Sequence, residues 1–198
     1  MRLDGQKVTI RPMRREDVDE MMRWRPVVDP LYQPFDLPRR SLSEHHAWFT
    51  DRANDPSRRL FTIESLTGQV IGSLTLRDIG SQRSARLGIT LGADYLSQGL
   101  GSDALGAFLH HFFGSMGFLR MDLDVAATNR RAIRCYRSLG FREVGRHWEA
   151  AVHPSYRILV QDARYQHLQT CFRRQGTALE VRFLDMALTE REWRERNR

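Results

Sequence analysis

The chain has 198 residues, of which 41% are hydrophobic and 28% charged, with a formal net charge of +7. That length suits one domain with a single core, and the composition excludes a disordered or membrane-embedded chain. No apolar run approaches the roughly 20 residues that a bilayer span needs.

The first residues, Met1-Arg2-Leu3-Asp4-Gly5, lack the apolar stretch of a secretory signal. Two cysteines, Cys135 and Cys171, make no disulfide framework, so a reducing, cytoplasmic setting is expected. The basic balance favours anionic partners: nucleic acid, a phosphorylated cofactor, or none in particular. The arginines are scattered, as in Arg39-Arg40, Arg58-Arg59, Arg130-Arg131 and Arg173-Arg174, and build no nucleic-acid motif. A nucleic-acid partner is therefore not expected.

In chain order, Val8-Thr9-Ile10 reads as a strand ended by Pro12. Glu16 to Arg25 reads as a helix with an acidic first turn, stopped by Pro26. Residues 26–40 hold four prolines and are expected to be loop. Ser41-Leu42-Ser43-Glu44 is a capping box that starts a helix running to about Ala53. Leu60–Glu64, a Thr67-Gly68 turn and Val70–Leu76 read as a hairpin, and Ala85–Leu91 as a third strand.

That strand leads into Gln98-Gly99-Leu100-Gly101-Ser102 and a helix marked by Leu105, Phe108, Leu109 and Phe112. Met121–Val125 alternates as a strand, and Thr128 or Asn129 caps a helix ending at Gly140. Arg142–Ala151 reads as a strand, Ala178–Ala187 as the last one, and Thr189 as the cap of a short helix. Between them, residues 152–177 show no clean period. The order of elements argues for an α/β (α+β) fold, a mixed sheet flanked by helices, in one domain over residues 1–198.

Two segments carry chemistry. Gly99 and Gly101 precede a helix, where unpaired N–H groups and a positive dipole end suit a phosphate. Turn geometry alone also explains them. On the later helix Asn129 and Tyr136 are two turns apart and share a face. Singly, Asn129 is an ordinary cap and Tyr136 an ordinary core tyrosine.

Together the segments resemble the GNAT superfamily of N-acetyltransferases. Its motif Q/R-x-x-G-x-G/A is met by Gly99 and Gly101; its motif N-x-x-A-x-x-x-Y-x-x-x-G-F by Asn129, Ala132, Tyr136, Gly140 and Phe141. The likeness covers about 8–151 and returns at 181–194. Val8–Met13 and Leu87–Tyr95 look like the branch that holds the ribosomal-protein alanine acetyltransferases. The resemblance implies a GNAT fold, with a central mixed and mostly antiparallel twisted sheet, and a transferase moving acetyl from acetyl-CoA to a primary amine on a protein N-terminus or small molecule. It implies roles as well. Backbone N–H groups of Gln98, Gly99, Leu100, Gly101 and Ser102 would hold the pyrophosphate. Ile89, Thr90 and Leu91 would pair with the pantetheine arm, and Asn129 would bond it. Tyr136 would line the cofactor site and protonate the leaving thiolate. A backbone N–H near Leu91 would meet the oxyanion. Attack is direct, and no metal is called for. Cys135, about 100° from Tyr136 on the helix, reads as packing.

The chain departs from the pattern in three places. Leu96 stands where Q/R is usual. The position near Leu87, where many members carry a glutamate base, is apolar, which leaves Glu64, His45, His46 and Asp94 as candidates with none preferred. Residues 152–177 form an atypical insertion, rich in apolar residues such as Tyr156, Leu159, Tyr165, Leu168 and Phe172; the last three suggest a short amphipathic helix. The insertion is expected to be ordered against the acceptor site or a second subunit, with a possible homodimer. The competing reading is a CoA-binding or interaction module that has lost its base.

Overall fold

The computed structural model describes residues 1–80 and 82–197. The first half runs β1 Leu3–Asp4, β2 Val8–Pro12, α1 Arg15–Met21, α2 Leu42–Ala53, β3 Arg59–Ser65, β4 Val70–Arg77, β5 Ser84–Leu91 and α3 Leu100–His110. The second runs β6 Arg120–Ala126, α4 Arg130–Ser138, β7 Arg142–Ala150, α5 Ser155–Gln161, β8 Phe172–Gln175, β9 Ala178–Thr189 and α6 Glu190–Arg196. No helix among the described residues is long and apolar enough to cross a membrane.

Local chemistry explains the element ends. The Glu44 N–H donates to the Ser41 hydroxyl at 3.3 Å, and the Ser41 N–H to the Glu44 carboxylate at 2.8 Å, so the capping box starts α2 as read. Gly68, at φ +85°, closes the β3–β4 hairpin. One expectation fails: α1 ends at Met21, well before Pro26. The chain turns there because the Trp24 indole N–H donates to the Val70 carbonyl at 3.1 Å, drawing that residue onto the sheet.

The sheet order is β1-β2-β3-β4-β5-β6-β9-β7, with β8 also on β9. Among the described residues only β5 and β6 run parallel; every other pair is antiparallel. The mixed, mostly antiparallel sheet is thus as expected. Strand alternation splits the core. Phe61, Ile63, Leu74 and Leu76 face α3 and α4, joining Leu105, Phe108, Ile133 and Phe141. Leu60 and Val70 face the other way, toward Met13, Val18, Met21 and Trp48 of the α1–α2 layer. After α3 a π-helical turn, His111–Ser115, widens the helix so that neighbouring Phe112 and Phe113 are both buried.

Residues 152–177 are ordered, but not as a single amphipathic helix. Ser155–Gln161 is α-helical, Ala163–Cys171 is 3₁₀, and Phe172 already belongs to β8. Tyr156 and Leu159 pack with Val181, Leu31 and Phe183 of the same chain, and Leu168 and Cys171 are buried too. The Ser155 hydroxyl donates to the Gln33 side chain, tying α5 to the loop 26–40.

Candidate active site

The site begins with a split in the sheet. β5 pairs with β6 only from Ser84↔Arg120 to Arg86↔Asp122, although the strands continue to Leu91 and Ala126. The Gly92 N–H donates to the Ile71 carbonyl at 3.0 Å. Given the register of Gly72 opposite Leu91, this bond puts Gly88 and Thr90 on rungs shared with β4. Beyond the last β6 pair, Ile89 and Leu91 turn their backbone N–H and C=O groups the other way, toward the gap. Of the three expected pairing residues, Thr90 therefore lines the wall without offering its backbone.

α3 starts at one edge of this gap. Gly99 is its N-cap at φ +80°, and Ser97 precedes it at φ +62°. The Asp103 N–H bonds the Gly99 carbonyl at 3.0 Å. Among the described residues, the N–H groups of Leu100, Gly101 and Ser102 meet no protein acceptor. The Asp103 carboxylate accepts from the N–H groups of Gln6, Lys7 and Val8, fixing the helix start on the β1–β2 turn. Gln98 lies outside the cleft wall: its amide N–H donates to the Asp94 carbonyl at 2.6 Å, and its own carbonyl faces the Lys7 ammonium at 3.5 Å.

α4 closes the other side. The Asn129 side-chain oxygen caps the Ala132 N–H at 3.2 Å, which leaves its NH₂ for the cleft. Tyr136 packs its ring 5.8 Å from Phe141. Burial first, then Cys135 and Asp124, push the phenol above its ordinary value, so it stays protonated. Its hydroxyl meets no protein partner among the described residues. Ile89, Thr90, Leu91, Gly99, Leu100, Gly101, Ser102, Asn129 and Tyr136 line one cleft that is open to solvent. Cys135 packs against the core as read and also lines the cleft, its Sγ 3.1 Å from the Ser102 hydroxyl.

Two further grooves meet this cleft at Ile89 and Phe35. One runs under α1 and α2. The other crosses the gap to Tyr136, Tyr156 and Glu149, and there Asp124 is held by Arg77 at 2.6 Å and Arg86 at 2.9 Å. The base candidates separate cleanly. Glu64 is bound by Arg11 at 2.8 Å, His46 by Asp19 at 2.6 Å, and Asp94 by Arg25. His45 alone of the four lines a groove. Its Nδ1 lies 3.1 Å from the Ser41 carbonyl, which can only accept, so Nδ1 carries the proton and Nε2 is a free acceptor when the ring is neutral.

Sequence reasoning missed Arg131. Its guanidinium stacks 4.1 Å from the centre of the Tyr32 ring and lines the main cleft beside Asn129. Burial lowers its proton affinity, and no carboxylate bonds it among the described residues. The signal was its place: a cation in the first turn of a helix opposes the dipole unless an anion joins it.

A family model described as an acetyltransferase (GNAT) domain matches residues 7–142. The chain belongs to the GNAT acetyltransferase family. The spermidine N(1)-acetyltransferase of Escherichia coli K12 is 26% identical over 162 residues, 81% of this chain and 87% of the relative. The crystal structure of spermidine N-acetyltransferase from Vibrio cholerae with CoA and spermine superposes with a TM-score of 0.70 at 20% identity, over 94% of this chain and 97% of that one. A second Vibrio cholerae structure, with manganese ions, gives 0.67 at 18% identity, over 97% and 98%. The acetyltransferase is thus an acetyl-CoA-dependent enzyme with the expected fold. These relatives do not single out the ribosomal-protein alanine branch.

Proposed function

We propose that the acetyltransferase moves acetyl from acetyl-CoA to a primary amine, on a small molecule or a protein N-terminus, by direct attack. The observation that carries this is the convergence on one cleft of unpaired N–H groups at the α3 start, the open β5 edge and a protonated Tyr136. Acetyl-CoA, when bound, supplies an acyl group activated as a thioester. The N–H groups of Leu100–Ser102 hold its pyrophosphate, and Arg131 takes a phosphate in place of the missing Q/R at Leu96. The edges of Ile89 and Leu91 and the Asn129 amide bond the pantetheine arm. The Leu91 N–H meets charge developing on the carbonyl oxygen. Tyr136 gives its proton to the departing sulfur, and His45 accepts one from the amine.

The test is titration with CoA, paired with thiol release from acetyl-CoA across peptides, polyamines and other amines. A Cβ at Gly101 meets only Leu91 Cδ1, at 3.4 Å, so Gly101→Glu folds. Its carboxylate lies at the pyrophosphate turn. Like charges about 4 Å apart cost about 4 kcal/mol at an effective dielectric near 20, so the Kd for CoA rises a hundredfold or more. An unchanged Kd sinks the assignment.

The proposal extends to one domain over residues 1–198, a cytoplasmic setting and a homodimer. Segment 152–177 supports the dimer only through what it leaves exposed, Val152 at 85% and Ile158 at 42%. Light scattering is expected to give twice the 23.1 kDa chain mass; the single mass removes the dimer.

A further inference from the structure

The groove under α1 and α2 has a volume of about 480 Å³ and ends on Gly88, Ile89 and Thr90, the strand that also walls the main cleft. Its charge is unbalanced. Arg40 and Arg52 line it, against one carboxylate, Asp36. That carboxylate is already used: it accepts from the Val27 N–H at 3.0 Å, the Leu37 N–H at 2.8 Å and Arg39 at 3.4 Å. Arg40 makes no hydrogen bond or ion pair among the described residues. Arg52 has only Asp51, at 3.6 Å and with 81% of its side chain exposed, a contact that solvent screens.

Arg52 is nevertheless held in place, stacked 5.0 Å from the centre of the Trp48 ring. Burial, and then the neighbouring Arg58, lower its proton affinity. A guanidinium fixed by an aromatic ring, part-buried and with only a solvent-screened carboxylate beside it suits planar recognition of a carboxylate or phosphate. His45 lines the same groove with Nε2 free.

We infer that the acceptor is an amine bearing an anionic group, a carboxylate or a phosphate, which Arg40 and Arg52 hold while the amine reaches Ile89. This rests on the acetyl-transfer reading and sharpens it. A polycation such as spermidine, the substrate named for the relatives, would meet two like charges in this groove.

Binding reads the groove independently of turnover. The CoA-loaded enzyme is titrated with glutamate, with O-phosphoethanolamine and with spermidine. At least one of the two acids is expected to bind ten times more tightly than spermidine, and the comparison of glutamate with O-phosphoethanolamine separates carboxylate from phosphate. Arg40→Gln, at an exposed residue, and Arg52→Gln are each expected to weaken that acid tenfold or more without changing the Kd for CoA, and Arg52→Lys to restore part of it. Acid affinity unchanged in both Gln variants, spermidine binding as tightly as the acids, or no binding of either acid overturns the inference. Acid binding with no thiol release from any amine spares the inference and overturns the acetyl-transfer reading instead.

Discussion

Replacing Tyr136 by Phe is expected to lower kcat by roughly 10²–10⁴-fold, the range typical of a positioned general acid, while the Kd for CoA and the Tm stay put. The hydroxyl bonds no protein group among the described residues, so its removal strands nothing in the fold. The ring, packed on Phe141, remains. Because burial raises the phenol, the acid form persists through neutral pH, and the wild-type rate should show no loss attributable to Tyr136 below about pH 10. Steady-state kinetics with the best amine, beside a CoA titration, decides it: full turnover in the variant makes Tyr136 structural. His45→Gln in the same assay is expected to lower kcat with unchanged CoA affinity, since His45 lines the α1–α2 groove and not the cofactor cleft.

Asp17→Ala is expected to be strongly destabilising. Asp17 accepts from Arg11 at 2.6 and 2.7 Å, from the Arg14 N–H at 2.7 Å and from the Thr62 hydroxyl at 2.7 Å. Both side chains of the ion pair are little exposed, 15% for Arg11 and 5% for Asp17. Removing one partner of such a pair costs about 3–5 kcal/mol, because the other charge is left buried. For a chain of this size, at roughly 2–4 °C per kcal/mol, Tm falls by roughly 6–20 °C. Acid behaviour follows the same contacts. Burial alone would raise the Asp17 carboxyl, but the bonds from Arg11, Arg14 and Thr62 together bring it below its ordinary value. A folded value below the unfolded one gives stability that is complete above about pH 4 and fades as pH falls through the folded value. Thermal melts from pH 7 to pH 2 should show that loss in the wild type and a flatter profile in Asp17→Asn. A Tm unmoved by Asp17→Ala would show Arg11 to be satisfied by Glu64 alone.

How legible these features were depended on how local their causes are. The Ser41–Glu44 box, the Gly68 turn and the N-x-x-A-x-x-x-Y pattern from Asn129 to Tyr136 each act within a few residues, so the sequence displayed them directly. The gap between β5 and β6 did not show, because it depends on where two strands 36 positions apart in register, Ser84 opposite Arg120, cease to pair. Nor did the insertion of β9 between β6 and β7. The four base candidates looked alike as residues. Their partners Arg11, Asp19 and Arg25 are distant enough in sequence that only the fold set three of them apart from His45. Segment 152–177 hid its order by dividing it among a helix, a 3₁₀ turn and a strand, each too short to establish a period.

The gap between β5 and β6 has a consequence for solubility. Ile89 and Leu91 present backbone donors and acceptors along an edge that no strand among the described residues fills. An edge of that kind is a template for any extended segment, including one from another copy. Phe35 and Tyr136 flank the opening and narrow the approach. Under the proposed pairing, the cosubstrate also acts as the guard of this edge, so enzyme kept in CoA is expected to resist aggregation that cofactor-free enzyme invites.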